Sequence, residues 1–404
     1  MSTTAPHTPP LFENLGHALS TDYFFLREQL TEGQLEVLRR VRLFVDDEVL
    51  PVIGDYWERA EMPWPLIRRL AELGIVGEDI QGYGCPGLDP ISLGLIHMEL
   101  NRGDGSLGTL LGVQAGLAMK SIAMLGSEEQ KQRWLPPMAR LEKIGAFALT
   151  EPEHGSDSVA LETSATRDGD SWVINGEKKW IGNGSIADIV VVWARDTEDR
   201  QVKGFLVEKG TPGFRAEKIE GKGALRAVWQ AQIELRDVRV PESSRLPGAR
   251  GFADVGGVLV GTRSACAWMA LGHAVAGFDV ALTYAKRRKQ FGQPLASFQI
   301  VQERLVKLLA DVTAMQLYCF QIGQLATAGR LAPTLAGLAK MHNTSKARHI
   351  LHEARDLLGG NGILLDFHVI KHMADVEAVH TFEGTETMQT LIVGRDITGI
   401  GAFT

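Results

Sequence analysis

The hydrophobic period of this chain changes twice, and that restricts the folds open to it. From Thr31 to Glu142 apolar residues recur at three- and four-residue steps, as at Leu35, Leu38, Val41, Val45 and Val49, the spacing of an amphipathic helix. Ser127, Glu128, Glu129 and Gln130 read as a capping box, and Pro136-Pro137 ends the helix it opens soon afterwards. From Gly145 to Arg250 the period falls to two. Residues 172–174, then Asn175-Gly176, then 178–181 predict a hairpin closed by a type I′ turn. The β-branched run 189–193 suits a strand buried on both faces; 205–207 and 233–240 add strands, with Thr211-Pro212-Gly213 as a turn. From Val258 the spacing predicts helices over 258–288, 298–328 and 335–358 and a shorter pair reaching Ile397, an antiparallel bundle.

The expected architecture is therefore multidomain α+β. A loosely ordered N-terminus (1–22) precedes a helical domain (23–144), a β domain (145–257) and a helical bundle (258–404). The 404 residues, 45% hydrophobic and 23% charged, suffice for a large core. A formal charge of −7 without a basic stripe argues against nucleic acid as a partner. The one basic run, Lys286-Arg287-Arg288-Lys289, reads either as a solvated helix end or as a phosphate clamp. Cys85, Cys266 and Cys319 give neither a disulfide framework nor a zinc spacing and suit a reducing compartment. Residues 1–14 carry neither arginine nor an apolar leader core, no apolar run is expected to reach membrane-spanning length, and Ala402-Phe403-Thr404 is not a peroxisomal address. The expectation is a cytoplasmic protein without a membrane partner.

Several motifs fail on physical grounds. Gly82-Tyr83-Gly84-Cys85-Pro86-Gly87 matches a dinucleotide fingerprint as text, but no strand precedes it and Pro86 stands where a helix should begin; it reads as a loop. His368 and His372 have a metal-compatible spacing but no third ligand, so a surface or hydrogen-bonded pair is expected, and no metal. Gly155-Ser156-Asp157 lacks the flanks of a nucleophile elbow. The polar stretch from Thr150 to Asp157 is either a capped turn or a loop offering N–H groups and hydroxyls to a ligand. Trp180-Ile181-Gly182-Asn183 is either a buried tryptophan or an aromatic edge for a flat ring. Glu383, between Phe382 and Gly384, is either a helix-start acid capped by Thr381 or a desolvated carboxylate able to abstract a proton.

Taken together, Leu149-Thr-Glu-Pro with Gly-Ser-Asp157, Lys179-Trp-Ile-Gly-Asn183, Arg288-Lys-Gln-Phe-Gly292, Leu358-Gly-Gly-Asn-Gly-Ile363 and Phe382-Glu-Gly-Thr385 resemble the acyl-CoA dehydrogenase family. The resemblance runs from Gly33 to Phe403 and is strongest toward the glutaryl-CoA dehydrogenase and plant-type short-chain acyl-CoA oxidase branch, through the ending from Gly394 to Phe403. It implies a helical N-terminal domain, a middle antiparallel β-barrel and a C-terminal four-helix bundle, with FAD between barrel and bundle. It places Phe147, Leu149, Thr150, Gly155, Ser156, Trp180 and Gly182 around the flavin, with Ser156 also reaching the substrate's pantetheine arm. Arg288, Phe291 and Gln299, with Gly359, Gly360, Thr385 and Thr387, are implied at the adenosine pyrophosphate end of FAD, in a site shared between subunits of a homo-oligomer, usually a tetramer.

The resemblance makes Glu383 the base that takes the α-proton of an acyl-CoA while the β-hydride passes to flavin. The Glu383 N–H polarises the thioester carbonyl, and Arg263, Phe382, Gly384 and the Gly108 position face substrate. Some relatives carry the base where this chain has Thr262, which cannot serve. Gly108 stands where glutaryl-specific members have an arginine, so glutaryl-CoA and its decarboxylation are not expected. Gly182 replaces a common threonine, Phe382 a tyrosine, and Thr387 an acidic or amide residue. The implied activity is dehydrogenation of a short-chain acyl-CoA to a trans-2-enoyl-CoA, as in fatty acid metabolism, with electrons passed to an electron-transfer flavoprotein. An oxidase using O2, a carrier-protein thioester as substrate, and a non-catalytic flavin-binding scaffold remain open alternatives.

Overall fold

Each change of period becomes a change of secondary structure in the computed structural model, which describes residues 22–402. The expected loose terminus lies outside the described residues apart from Asp22, as do Phe403 and Thr404. Seven helices come first: α1 (Glu32–Phe44), α2 (Ile53–Arg59), α3 (Trp64–Glu72), α4 (Pro90–Gly103), α5 (Gly105–Leu111), α6 (Lys120–Leu125) and α7 (Glu128–Ala139). Local chemistry sets their starts. Thr31 and Gln34 form a capping box on α1, Asp89 accepts from the N–H groups of Ile91 and Ser92 with Pro90 following, and Ser127 and Gln130 form the expected box on α7. Pro136 and Pro137 lie inside α7, which stops at Ala139. Between α5 and α6 the residues Gly112–Met119 widen into a π-helical stretch, a distortion frequent at functional sites.

The middle domain departs from expectation in two ways. Its strands are β1 (Gly145–Ala148), β2 (Ser164–Asp168), β3 (Ser171–Gly182), β4 (Ile189–Asp196), β5 (Val202–Glu208), β6 (Phe214–Lys218) and β7 (Gln230–Pro241). First, the sheet is mixed rather than antiparallel throughout, and among the described residues no ladder closes it into a barrel: the order is β1-β4-β2-β3-β7-β6, with β5 also on β4. β1 and β2 both run parallel to β4 along the same edge, β1 against Ile189 to Val192 and β2 against Arg195 and Asp196. The chain between them is extruded as a loop. Second, Asn175-Gly176 is not a hairpin turn. β3 runs straight through it with a bulge against β7, because the Asn175 amide pairs with Asp237 across the ladder: Asn175 Nδ2 donates to Asp237 Oδ1 (3.1 Å) and the Asp237 N–H donates to Asn175 Oδ1 (2.7 Å). The tight turn sits earlier, at Gly169-Asp170, between Asp168 and its cross-strand partner Ser171.

Five helices follow: α8 (Phe252–Arg287), α9 (Gln299–Thr327), α10 (Pro333–Leu357), α11 (Val369–Thr381) and α12 (Glu386–Thr398). By length and composition three helical stretches, Gly105–Leu125, Phe252–Arg287 and Gln299–Thr327, could cross a membrane, contrary to the sequence expectation. Their apolarity has an internal use: 89% of the most apolar window of α8 is buried inside the protein. His368 and His372 are also not a surface pair. Both are buried, and His372 Nδ1 lies 2.8 Å from His273 Nδ1 on α8. Burial pushes His273 and His368 down to about 3 and His372 well below its ordinary range, so all three are neutral. Among the described residues no metal-binding cluster forms.

α11 ties the domains together. Lys371 Nζ donates to Asp104 Oδ2 (2.7 Å) and to the Gly103 carbonyl (3.0 Å), with both charged side chains fully buried. One turn on, Asp375 Oδ1 accepts from Trp57 Nε1 (2.9 Å) and from the Leu225 N–H (2.6 Å). Removing one partner of such a pair strands the other, at a cost of about 3–5 kcal/mol. Lys371→Met is expected to lose that much in chemical denaturation, and the Lys371→Met/Asp104→Asn double variant less, since it strands no charge. Burial, with Asp104 nearby, pushes the Asp375 carboxyl up to about 7 from an ordinary 3.8. A folded pKa above the unfolded one means that this group's contribution to stability falls as pH rises between those values. Asp375→Asn should flatten the pH dependence of unfolding across that window.

Candidate active site

A cavity of about 930 Å³ opens where the three regions meet, walled by the π-helical stretch, the β1–β2 loop, the end of β3, α8 and the α11–α12 link. The link itself is a built structure. α11 stops at Thr381, and α12 starts with Thr385, whose Oγ1 accepts from the Met388 N–H. The helix-start acid is thus Glu386, with Thr385 as its cap, and the Thr381 hydroxyl turns back to the Glu377 carbonyl. Between the helices Glu383 adopts φ 57° and Gly384 φ 83°, the left-handed region. Lys340 of α10 donates to the carbonyls of Phe382 and Gly384, and Gln389 Nε2 donates to the Glu383 carbonyl (3.1 Å). Three successive carbonyls are thereby held. The Glu383 N–H finds no acceptor among the described residues and is free for a ligand's oxygen.

The Glu383 carboxylate meets the cavity beside Thr262, whose Oγ1 lies 2.6 Å from Oε2 and 3.0 Å from the Leu259 carbonyl. A hydroxyl donates one proton, so Thr262 bonds either the charged carboxylate or the carbonyl, and it can accept from Glu383 once that residue is protonated. Burial raises the Glu383 pKa above its ordinary value; the Thr262 hydrogen bond, then Lys340 and Arg263, oppose the rise. A carboxylate shifted in this direction is a stronger base than a solvated one. Arg263 lines the same cavity, and its buried Nε has no hydrogen-bond partner among the described residues.

The opposite wall collects Phe147, Leu149, Thr150, Gly155, Ser156, Trp180 and Gly182. Phe147 and Leu149 are buried, whereas Trp180 is 54% exposed in a left-handed backbone conformation (φ 63°), so it is a rim residue and not core. The loop carrying Thr150 to Ser156 is fixed from beneath by a buried ion pair. Lys178 Nζ donates to Glu151 Oε1 (2.8 Å) and the Leu149 carbonyl (3.0 Å), while Glu151 also accepts from the N–H groups of Glu162 and Thr163. Gly182 is required by its neighbour: a Cβ there would stand 2.7 Å from Val113 Cγ2. Phe382, Gly384 and Thr385 also line the cavity, and the Phe382 ring packs against both the N-terminal and the bundle cores.

Other expected residues stand elsewhere. Gly108 lies inside α5 and is no part of the wall; a Cβ on it would meet Asn101 Nδ2 at 2.1 Å, so its open side is filled by that amide. Thr109, one residue on, faces the cavity. Arg288, Phe291 (94% exposed), Gln299, Gly359 and Gly360 lie outside this cavity, as does Thr387, which is exposed on α12. Lys178 and Lys340, whose partners lie far along the chain, and Gln389, which reaches back to the link just before its own helix, carry no motif in the sequence. Nor do Glu78 and His97, a loop acid and a helix imidazole 3.0 Å apart in the cavity wall.

Comparison with known proteins identifies the family. Models of the N-terminal, middle and C-terminal domains of acyl-CoA dehydrogenase match residues 31–142, 146–238 and 249–398. A short-chain-specific acyl-CoA dehydrogenase of Clostridium acetobutylicum is 34% identical over 91% of this chain and 98% of its own. A crystal structure of glutaryl-CoA dehydrogenase from Mycobacterium smegmatis superposes with a TM-score of 0.93 at 40% identity, covering 95% of this chain and 99% of that one. A second structure of a glutaryl-CoA dehydrogenase from that organism, in complex with FADH2, gives 0.93 at 37% identity over the same shares. The chain belongs to the acyl-CoA dehydrogenase family.

The Thr262 hydroxyl lowers the Glu383 pKa, so removing it takes away the largest of the effects that oppose burial. Thr262→Val is expected to move the acidic limb of any Glu383-dependent proton-transfer rate to higher pH by about one unit, the scale of one net hydrogen bond. The pH profile of the variant checks this.

Proposed function

We propose that the protein catalyses α,β-dehydrogenation of a short-chain acyl-CoA thioester to the trans-2-enoyl-CoA, with FAD as cofactor and Glu383 as base. The observation that carries this reading is the Glu383 carboxylate, raised in pKa and hydrogen-bonded to Thr262, on a residue whose backbone N–H has no partner among the described residues. The residues opposite it fit a flavin: an exposed indole at Trp180, open backbone at Gly155, and apolar support from Phe147 and Leu149. FAD, when bound, supplies the acceptor for the β-hydride. The protein's part is to donate the Glu383 N–H to the thioester oxygen, which acidifies the α-carbon, and to take the α-proton on the Glu383 carboxylate. The proton and the hydride leave adjacent carbons, and the remaining electron pair forms the double bond.

The family favours an electron-transfer flavoprotein as the acceptor of the reducing equivalents and a homotetramer as the assembly. The second point draws support from Phe291, 94% exposed beside Arg288 at the end of α8, in the motif assigned to a cofactor shared between chains. With three free cysteines, two of them buried, we place the protein in a reducing, cytoplasmic setting. A dicarboxylic thioester is disfavoured because Gly108 stands at the sequence position where glutaryl-specific members of the family carry an arginine. A second reading, an oxidase using O2, is favoured by one contact: Val113 occupies the space beside Gly182 that a threonine hydroxyl would fill.

An anaerobic spectral titration of the FAD-loaded protein with butyryl-CoA tests both readings. Bleaching that persists after air is admitted marks a dehydrogenase; rapid recolouring with peroxide marks an oxidase. A flavin that no acyl-CoA bleaches would sink the reaction itself. Glu383→Gln should lower the bleaching rate by at least a thousandfold while FAD stays bound, a loss of about 4 kcal/mol in transition-state stabilisation. A variant that bleaches normally would remove Glu383 from the role of base.

A further inference from the structure

The cavity lining includes apolar side chains such as Leu93, Val113 and Met269. A plain alkyl chain would need nothing else. Yet Glu78, His97 and Thr109 also line it. Glu78 Oε1 lies 3.0 Å from His97 Nε2, with the imidazole only 3% exposed, and Thr109 Oγ1 is buried without a hydrogen-bond partner. Glu78 Oε2 likewise has no partner among the described residues, and no lysine or arginine pairs with it. Lys120, a cation of the lining, is engaged by Asp79.

Glu78 is held in place rather than placed by default. Its backbone is left-handed (φ 48°), a conformation that costs a non-glycine residue about 1 kcal/mol or more, and its carbonyl accepts from the Leu88 N–H (2.9 Å). It stands close to the reacting centre. A Cβ on Gly116 would be 3.6 Å from Glu78 Oε2 and 3.3 Å from the methyl of Thr262, the residue bonded to Glu383. An acceptor left unpartnered once a ligand excludes water costs stability, so its retention in the lining points to a ligand group that meets it.

We propose that Glu78, His97 and Thr109 form a distal acyl subsite that selects thioesters whose chain ends in a hydrogen-bond donor. This rests on the dehydrogenase reading above and names its substrate class. The donor gives its hydrogen to Glu78 Oε2, and Thr109 supplies the second hydrogen bond. His97 holds the other carboxylate oxygen, so the acceptor is aimed and does not rotate. A hydroxyl and an ammonium share this chemistry, and a terminal carboxylate opposes it. Discrimination of this kind is strong, because an alkyl chain leaves the buried acceptor unpaired.

The test compares kcat/KM of the FAD-loaded enzyme for pentanoyl-CoA, 5-hydroxypentanoyl-CoA, 5-aminopentanoyl-CoA and glutaryl-CoA, and for the same terminal groups on a six-carbon chain. The expected result is a preference of tenfold or more for the hydroxyl or the amine over the methyl terminus; the better of the two identifies the donor. In Thr109→Val, which keeps the shape of the wall, and in Glu78→Gln, which turns an amide N–H toward the ligand, that preference should fall at least fivefold. A purely structural role would lower all rates together and leave the ratio alone, and a melting curve on each variant registers any loss of fold. Equal or better use of the alkyl chains at both lengths overturns the proposal while leaving the dehydrogenase reading intact, as does a preference for glutaryl-CoA. Failure of every thioester to bleach the flavin overturns both.

Discussion

The buried ion pair between Lys371 and Asp104 is the constraint on which the rest of this structure depends. Neither charge reaches water, so each is tolerable only while the other is in place. Asp104 also caps α5 through the Ser106 N–H, and four residues after Lys371 the carboxyl of Asp375 takes hydrogen bonds from Trp57 in the N-terminal region and from Leu225 in the β domain. A single short helix, α11, is thus fixed against two other regions by polar contacts that allow one register only. A purely apolar face would permit sliding by a turn at little cost. That specificity matters because the next residues of the chain are Phe382, Glu383 and Gly384.

The same logic continues in the link. Lys340, buried in α10, spends its donors on the carbonyls of Phe382 and Gly384, and Gln389 reaches back to that of Glu383. Burial lowers the Lys340 pKa, yet the carbonyl dipoles and the Glu383 carboxylate favour its charged form. The cation therefore has two effects. It fixes the backbone that aims the Glu383 N–H, and it restrains the rise that burial imposes on the Glu383 carboxyl. Burial and the groups that oppose it thus pull the basicity of this carboxylate in opposite directions. Thr262 completes the balance with a hydroxyl that serves both protonation states.

Much of this was legible in the sequence because it follows from local rules. The helix–strand–helix order, the caps at Ser127 and Gln130 and the five C-terminal helices came from periodicity and capping chemistry. Glu383, Trp180, Gly182 and the Thr150 loop came from motifs. What failed had a common cause. Asn175-Gly176 reads as a turn until Asp237, sixty-two residues away, captures the asparagine amide, and the true turn at Gly169-Asp170 lacks so strong a signature. The mixed pairing of β1, β2 and β4 depends on strands meeting across long connections. The long apolar run of α8 looked unlike a membrane span only because its polar residues, His273 and Asp279 among them, interrupt it, although by length and composition it qualifies. Pairs such as Lys178–Glu151 and Glu78–His97 leave no periodic trace at all.

Strain gathers where these long-range contacts meet. Glu78, Trp180 and Glu383 all line the cavity and all have positive φ, with Asn183 following close behind. Each such residue costs of the order of 1 kcal/mol and survives only where its surroundings over-determine it. The surroundings are visible for three of the four. Glu78 is held through the Leu88 N–H and His97, Glu383 through Lys340, Gln389 and Thr262, and Asn183 through its side-chain bond to the Gly145 carbonyl (3.3 Å) and its N–H bond to the Trp229 carbonyl (2.9 Å). The β3 end therefore leaves its strand with the Trp180 ring turned outward, and the adjoining glycine at 182 lets Val113 of the π-helical stretch close against it. A cavity with strained walls on three sides, each braced from behind by buried polar contacts, is preorganised: its groups need not move when a ligand arrives. The stability given up in the backbone is returned as fixed geometry at the carboxylate, the free N–H and the polar end of the acyl pocket.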